Sequence, residues 1–247
     1  MILASAQTRP KRGNILENLD DHYRLVEIAS DKGADLIVFP EMSITGYERE
    51  QAYLLAFSSN DIRLDKLTRL AVDNKIIVIA GAPILLNSDL FIGGFILLPD
   101  SSVKIYTKQF LHPGEEKYYK SSFDFNPIIE LENERISLAI CADIDNHLHA
   151  ENAGKVESSI YIPSIFFSPD GIPSAHNLLG SYARKYSMNV LMSNFCGESW
   201  GQPAGGRSAF WNNNGGLIVE MNNSSSGLLL VEKRNDNWTG QLFNDIK

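Results

Sequence analysis

Short, nearly uninterrupted runs of Ile, Val and Leu recur along the chain, and several give way to stretches with helical periodicity. Leu36-Ile37-Val38-Phe39, Ile76 to Ala80, Arg135 to Ile140, Ile160 to Phe167 and Val190 to Ser193 all read this way. A strand apolar at successive positions points side chains to both faces of its sheet, so both faces need cover. Between the runs lie amphipathic segments. Asn14 is a natural N-cap with Glu17 as its capping-box partner. Ile15, Leu19, His22, Val26 and Ala29 then recur at three- and four-residue steps, one helix face, and Gly33 is a natural stop. Further helices are predicted over Asp61 to Asp73 and around Ser174 to Ser187. Gly81 reads as the end of the Ile76 strand. Phe91 to Leu98 and Val103 to Thr107 flank a Pro99-Asp100-Ser101-Ser102 turn, and Gly216 to Met221 with Gly227 to Lys233 reads as a closing hairpin. Helical units mixed with hairpins predict a layered α/β sandwich rather than a purely parallel sheet.

Nothing splits the chain into parts, and residues 1–247 read as a single domain. At 247 residues and 44% hydrophobic it is large enough to bury its own core. The formal net charge of −8, with no block of Lys or Arg, makes nucleic acid a poor partner. No apolar run approaches the roughly 18–20 residues that cross a bilayer, so no membrane partner is expected. The start, Met1-Ile2-Leu3-Ala4, lacks the build of a signal peptide. Two cysteines, Cys141 and Cys196, are too few for a disulfide scaffold. The expectation is a soluble, cytoplasmic protein.

Three polar residues occupy equivalent places. Glu41 follows the Leu36 strand, Lys108 follows the Val103 strand, and Cys141 follows the Arg135 strand. Strand C-terminal edges are where α/β proteins bind ligands. A free thiol is a weak nucleophile until it loses its proton. Glu41 is placed to take that proton, and Lys108 to favour the thiolate and then an oxyanion. That chemistry is acyl transfer from an amide-like or nitrile-like carbon, and it needs no histidine and no cofactor. Taken singly, each residue also has a plainer reading: a buried small thiol, or a solvated edge charge.

The three sit in longer motifs. Phe39-Pro40-Glu41, Tyr106-Thr107-Lys108 with Leu111-His112-Pro113-Gly114-Glu115, and Ile140-Cys141-Ala142-Asp143 resemble, in that order, the nitrilase superfamily of carbon–nitrogen hydrolases. Ala4-Ser5-Ala6-Gln7, Ala183-Arg184 and Gly205-Gly206-Arg207-Ser208 extend the resemblance over nearly the whole chain. The resemblance implies a four-layer α-β-β-α sandwich and a homodimer. It implies Glu41 as general base, Lys108 as stabiliser of the tetrahedral intermediate, and Cys141 as nucleophile. Glu115, with Glu116 the alternative register, would position substrate and hold Lys108. The N–H of Ala142 would complete the oxyanion site, and Tyr47 of Thr45-Gly46-Tyr47 would line the pocket. The substrate would be a small amide; a nitrile, an N-carbamoyl compound, or a silent binding role on the same fold are the alternatives. After Cys141 the run Ile144-Asp145-Asn146-His147 departs from many relatives, which leaves the substrate open.

The remaining candidates read more plainly. His147 and His149, with His112 and His176, do not make a convincing zinc set, because an i, i+2 pair on a helix diverges, and no metal site is expected. Surface or loop positions are expected for these histidines. Cys196 reads as a structural thiol. Gly205-Gly206 reads as a flexible loop beside the cleft, and Phe123, Phe125 and Trp200 as packing or pocket-lining aromatics.

Overall fold

The computed structural model describes residues 1–246. The chain opens with β1 (Ile2–Gln7), α1 (Ile15–Asp31), β2 (Leu36–Val38), a single turn α2 (Ala52–Leu55), α3 (Asp65–Asp73), and the strands β3 (Ile77–Leu86), β4 (Asp89–Leu97) and β5 (Val103–Thr107). It crosses to a second sheet through β6 (Ile129–Leu131), β7 (Glu134–Ile140), α4 (His147–Lys155), β8 (Ile160–Ile165), α5 (Ile172–Tyr186) and β9 (Asn189–Asn194). A small ribbon, β10 (Cys196–Ser199) with β11 (Gln202–Gly205), precedes β12 (Ala209–Trp211) and β13 (Leu217–Glu220) of the second sheet. The chain then returns to the first sheet as β14 (Gly227–Arg234) and β15 (Asn237–Asn244). The orders are β15-β14-β1-β2-β3-β4-β5 and β13-β12-β9-β8-β7-β6.

Three apolar layers hold four structural ones, the α-β-β-α sandwich. In β2, Ile37 and the following Phe39 turn outward to pack with Leu19, Val26 and Leu67 of α1 and α3. Leu36 and Val38 turn inward to meet Leu138, Ile140 and Ile162 across the gap between sheets. On the far side, Tyr161, Ile165 and Val190 pack under Ala150, Leu179 and Ala183 of α4 and α5. This double duty is why the strands read as unbroken apolar runs. Each Leu, Ile or Val so buried contributes roughly 1.5–3 kcal/mol over an exposed one. Asn14 caps α1 as expected, its side chain accepting from Glu17 N at 3.3 Å.

Several expectations are corrected. Gly81 does not end a strand; it lies inside β3. A Cβ there would sit 2.4 Å from Met42 N, so the glycine is needed for close approach of another segment. Gly216 to Met221 and Gly227 to Lys233 do not form a hairpin. β13 pairs with β12 in one sheet and β14 with β1 in the other, so Asn222 to Ser226 is a crossover between sheets. The hairpin partner of β14 is β15, reached through Asn235 and Asp236 at φ 48° and 63°. Left-handed residues at both turn positions suit the twist of a tight hairpin. β15 was hidden because it is an edge strand with mostly exposed polar residues. The β8 strand ends at Ile165, which frees Phe166 and Phe167 for the site described next.

Candidate active site

The strands β1, β2 and β3 run parallel, and β5 runs with them because β4 is antiparallel to both β3 and β5. Glu41 and Lys108 therefore leave the same edge of the first sheet. Cys141 leaves the matching edge of the second, where β7, β8 and β9 are parallel. Lys108 Nζ donates to Glu41 Oε1 at 2.8 Å and to Glu115 Oε1 at 3.0 Å, and all three side chains are buried. Glu41, Tyr47, Glu115 and Cys141 line one cleft of about 200 Å³. Phe166, Phe167 and Trp200 form its apolar wall, and Arg49, His112, Ser168 and Gln202 its polar one.

Local structure aims each group. Past Pro40 the chain makes a tight turn with Met42 at φ 52° and presses against β3 at Gly81. Ile44 N donates to Gly81 O at 3.0 Å, and Gly81 N donates to Ser43 Oγ at 3.3 Å. Ser43 Oγ–H then donates to His22 Nε2 at 2.9 Å, so the proton of His22 sits on Nδ1, which donates to Asn18 O at 2.6 Å. Burial holds His22 down at about 4, with the Asn18 bond opposing, and the ring stacks on Phe39 at 4.0 Å. A neutral histidine on α1 thus braces the turn that carries Glu41.

Glu115 follows Gly114, whose φ of 90° suits glycine. Its Oε1 also accepts from Tyr47 O–H at 2.6 Å, and its Oε2 accepts from His112 N at 2.7 Å. Glu115 is inside, whereas Glu116 is exposed and accepts from Gly114 N at 2.6 Å.

Cys141 has φ 45°, in the left-handed region that non-glycine residues seldom occupy, and opens a single 3-10 turn through Asp143. Asp143, buried, holds that turn. Its Oδ2 accepts from Ile140 N at 2.9 Å and from Tyr106 O–H at 2.6 Å. Its Oδ1 accepts from Gln109 N at 2.9 Å and Phe110 N at 2.8 Å, the residues straight after Lys108. One carboxylate therefore ties the Lys108 segment to the Cys141 turn. Tyr106 O, having given its proton, accepts from His149 Nε2 at 2.8 Å, and His149 Nδ1 accepts from Tyr161 O–H at 2.8 Å. His149 is thus buried behind the site, not at the surface. Sequence reasoning missed this network because only the fold brings Tyr106, His149 and Tyr161 together. Ala142 follows Cys141 in the same turn, and its side chain lines a neighbouring groove with His112 and Asp145.

The electrostatics follow from burial. Loss of water pushes Glu41 up to about 7, with the Lys108 charge opposing and Glu115 adding. Burial works against Lys108, yet the acidic groups around it, Glu41 first, hold its ammonium well above the ordinary value. Burial, then Glu41, push the Cys141 thiol well up, outweighing the pull of Lys108. Lys108 pulls toward the thiolate, as expected, but burial and Glu41 outweigh it and hold the thiol toward its protonated form. Glu41 Oε2 is buried without a hydrogen-bond donor.

The other candidates separate. Cys196 is free and buried, its thiol 3.7 Å from Thr8 O. Gly205 and Gly206 are not a flexible loop. Cβ atoms there would meet Ile172 Cγ1 at 2.5 Å and Asn223 O at 2.5 Å, so both are close-packing glycines. Phe123 is exposed against Phe110, and Phe125 O accepts from Thr107 N at 3.0 Å, bracing β5 outside the cleft. Arg49, two residues past Tyr47, is among the cleft residues that sequence reasoning passed over, with Phe166, Phe167, Ser168 and Gln202; its only signal is that position.

The carbon-nitrogen hydrolase family profile matches residues 2–238. A glutamine-dependent NAD(+) synthetase from Thermotoga maritima is 27% identical over 147 residues, 57% of this chain and 25% of that protein. The chain thus spans about a quarter of the length of that curated relative. Among solved structures, an amidase from Nesterenkonia sp. AN1 in complex with acrylamide superposes with a TM-score of 0.85 at 20% identity, covering 95% of this chain and 91% of that one. The same amidase in complex with butyramide gives a TM-score of 0.82 at 21% identity over 96% of this chain and 92% of that one. A third structure, with the acetamide moiety of fluoroacetamide added covalently at the active site cysteine, gives 0.82 at 21% over 93% and 89%. No helix among the described residues is long and apolar enough to cross a membrane.

Proposed function

The chain belongs to the carbon–nitrogen hydrolase family, and we propose that it hydrolyses the carbon–nitrogen bond of a small, non-peptide amide through a thioester on Cys141. The observation that carries this reading is the buried Lys108 bonded to two carboxylates, Glu41 and Glu115, in a cleft that also holds the thiol. Glu41 takes the proton of Cys141 as Sγ attacks the amide carbon. The Lys108 ammonium and the Ala142 N–H stabilise the oxyanion. The C–N bond then breaks, Glu41 returns the proton to the leaving nitrogen, and ammonia departs. Water, deprotonated by Glu41, attacks the thioester; the carboxylic acid leaves and the thiol regains its proton. Glu115 holds Lys108 and, through Tyr47, shapes the pocket. No step calls for a cofactor. Residues 1–247 act as one hydrolase domain, with the thiol kept reduced as in the cytoplasm. The homodimer that goes with this reading is checked by sedimentation.

Incubation with butyramide and other short amides is expected to release ammonia and to leave an acyl adduct on Cys141, trapped by acid quench and located by mass spectrometry. Cys141→Ala is expected to lose both while remaining folded. Absence of ammonia from every amide in the series, or an adduct that survives Cys141→Ala, overturns the assignment.

A further inference from the structure

We infer that Arg49 selects amides whose acyl group ends in a carboxylate, an inference that rests on the amidase reading above. Arg49 lines the cleft that holds Cys141 and Glu115. Its guanidinium is held in one plane. Nε donates to Tyr47 O–H at 2.9 Å, and the group stacks over Trp200, 4.5 Å from the ring centroid.

The nearby carboxylates are engaged elsewhere. Glu48 accepts from Arg12 at 2.5 and 3.0 Å. Glu50 accepts from Arg12 at 3.4 Å and from Trp200 Nε1 at 3.1 Å. Glu115 is taken by Lys108, Tyr47 and His112 N, and Glu41 by Lys108. Among the described residues, no carboxylate forms an ion pair with Arg49, and neither terminal guanidinium nitrogen has a protein acceptor. A half-buried, oriented cation with its outer N–H groups unused is suited to bidentate binding of a carboxylate. A role limited to propping Tyr47 would use Nε alone and would leave the fork without purpose. Phe166, Phe167 and Arg49 line the same cleft as Cys141, so an amide held at Cys141 shares that cleft with the guanidinium.

Butyramide and glutaric acid monoamide are a matched pair, the second being the first with its methyl group carboxylated. Binding of each to Cys141→Ala protein is measured by calorimetry, with Arg49 intact and in the Arg49→Met and Arg49→Lys proteins. The monoamide is expected to bind at least tenfold more tightly than butyramide when Arg49 is present. That preference is expected to fall below about threefold in Arg49→Met and to return in part in Arg49→Lys, which keeps the charge but not the fork. No preference with Arg49 intact, a preference that persists in Arg49→Met, or failure of the monoamide to bind overturns the inference. Failure of the amidase reading shows separately, as absence of ammonia release by the unmodified protein from any amide.

Discussion

In the proposed mechanism Glu41 must both give up its proton to become a base and hand one back to the leaving nitrogen. A carboxyl at the ordinary value near 4.5 is a poor donor near neutrality; one pushed up to about 7 by burial serves both steps. Only the ionised form accepts the thiol proton, so kcat/KM for a neutral amide is expected to rise with pH through a limb centred near 7. A limb near 4.5 would remove Glu41 from this role. Glu41→Gln is expected to lower kcat by about 10²–10⁴-fold, the usual worth of a positioned base. The protonated resting thiol has its own signature: alkylation by iodoacetamide is expected to be slow at pH 6–7 and to climb steadily above it. Glu41, Lys108 and Cys141 were legible in the sequence because Lys108 and Cys141 directly follow strands and Glu41 lies just past the end of β2. Their protonation states were not, since these depend on how deeply three distant segments are buried together. Arg49 was illegible for a related reason: its significance lies in which neighbours leave it unpaired.

At the scale of elements, the turn after β2 is a cast held from three sides, by β3, by α1 through His22, and by the loop that bears Arg12. Gly81 is the contact with β3. A methyl group 2.4 Å from Met42 N cannot be accommodated without moving backbone. Gly81→Ala is therefore expected to cost about 1–3 kcal/mol by overpacking, and to lower activity further because the displaced segment carries Glu41. Thermal unfolding and the ammonia assay, run side by side, measure the two effects. Glu48 anchors the other end of this stretch, accepting from Arg12 and from the N–H groups of Arg49 and Glu50. Burial alone would raise its carboxyl, but the Arg12 bonds and the backbone donors bring it down to about 2. The folded value lies below the unfolded one, so this stabilisation is complete above about pH 4.5 and is lost as pH falls through 2. Arg12→Ala is expected to cost about 1–2 kcal/mol at pH 7, allowing for the solvent that reaches Arg12. The difference from the unmodified protein, followed by urea unfolding, is expected to shrink between pH 4.5 and 2. The sequence exposed α1, its cap and the apolar strands, whose periodicity is local. It did not expose Gly81 as a contact or β15 as a strand, because both are defined by what lies beside them.

In the whole molecule, the groups proposed to react belong to different sheets: Glu41 and Lys108 extend from one, Cys141 from the other. Their alignment is therefore set by how the two sheets register, which apolar packing alone specifies loosely. Hydrogen bonds across the gap supply direction. Ser5 Oγ donates to Met192 O at 2.9 Å and Ser193 Oγ donates to Ala6 O at 2.7 Å, linking β1 to β9. Gln7, buried at the end of β1, does most. Its Nε2 donates to Asn222 O and Ser225 O, each at 2.8 Å, and its Oε1 accepts from Ser208 N at 2.9 Å. It thus pins the crossover that the sequence disguised as a hairpin. Gln7→Ala leaves the Ser225 carbonyl and the Ser208 N–H without their partner, while Asn222 O keeps Arg207 N at 3.2 Å, and is expected to cost about 2–4 kcal/mol. In a chain of this size each kcal/mol lowers Tm by roughly 2–4 °C. Because Gln7 lies on the strand beside β2, slackening this joint is also expected to lower kcat well below the transition, where the protein is still folded. Ser5→Ala, which removes a single bond from the same interface, is expected to show the milder form of both effects. If Gln7→Ala lowers Tm yet leaves kcat intact at 25 °C, the register of the sheets is set by the apolar layer and not by these bonds.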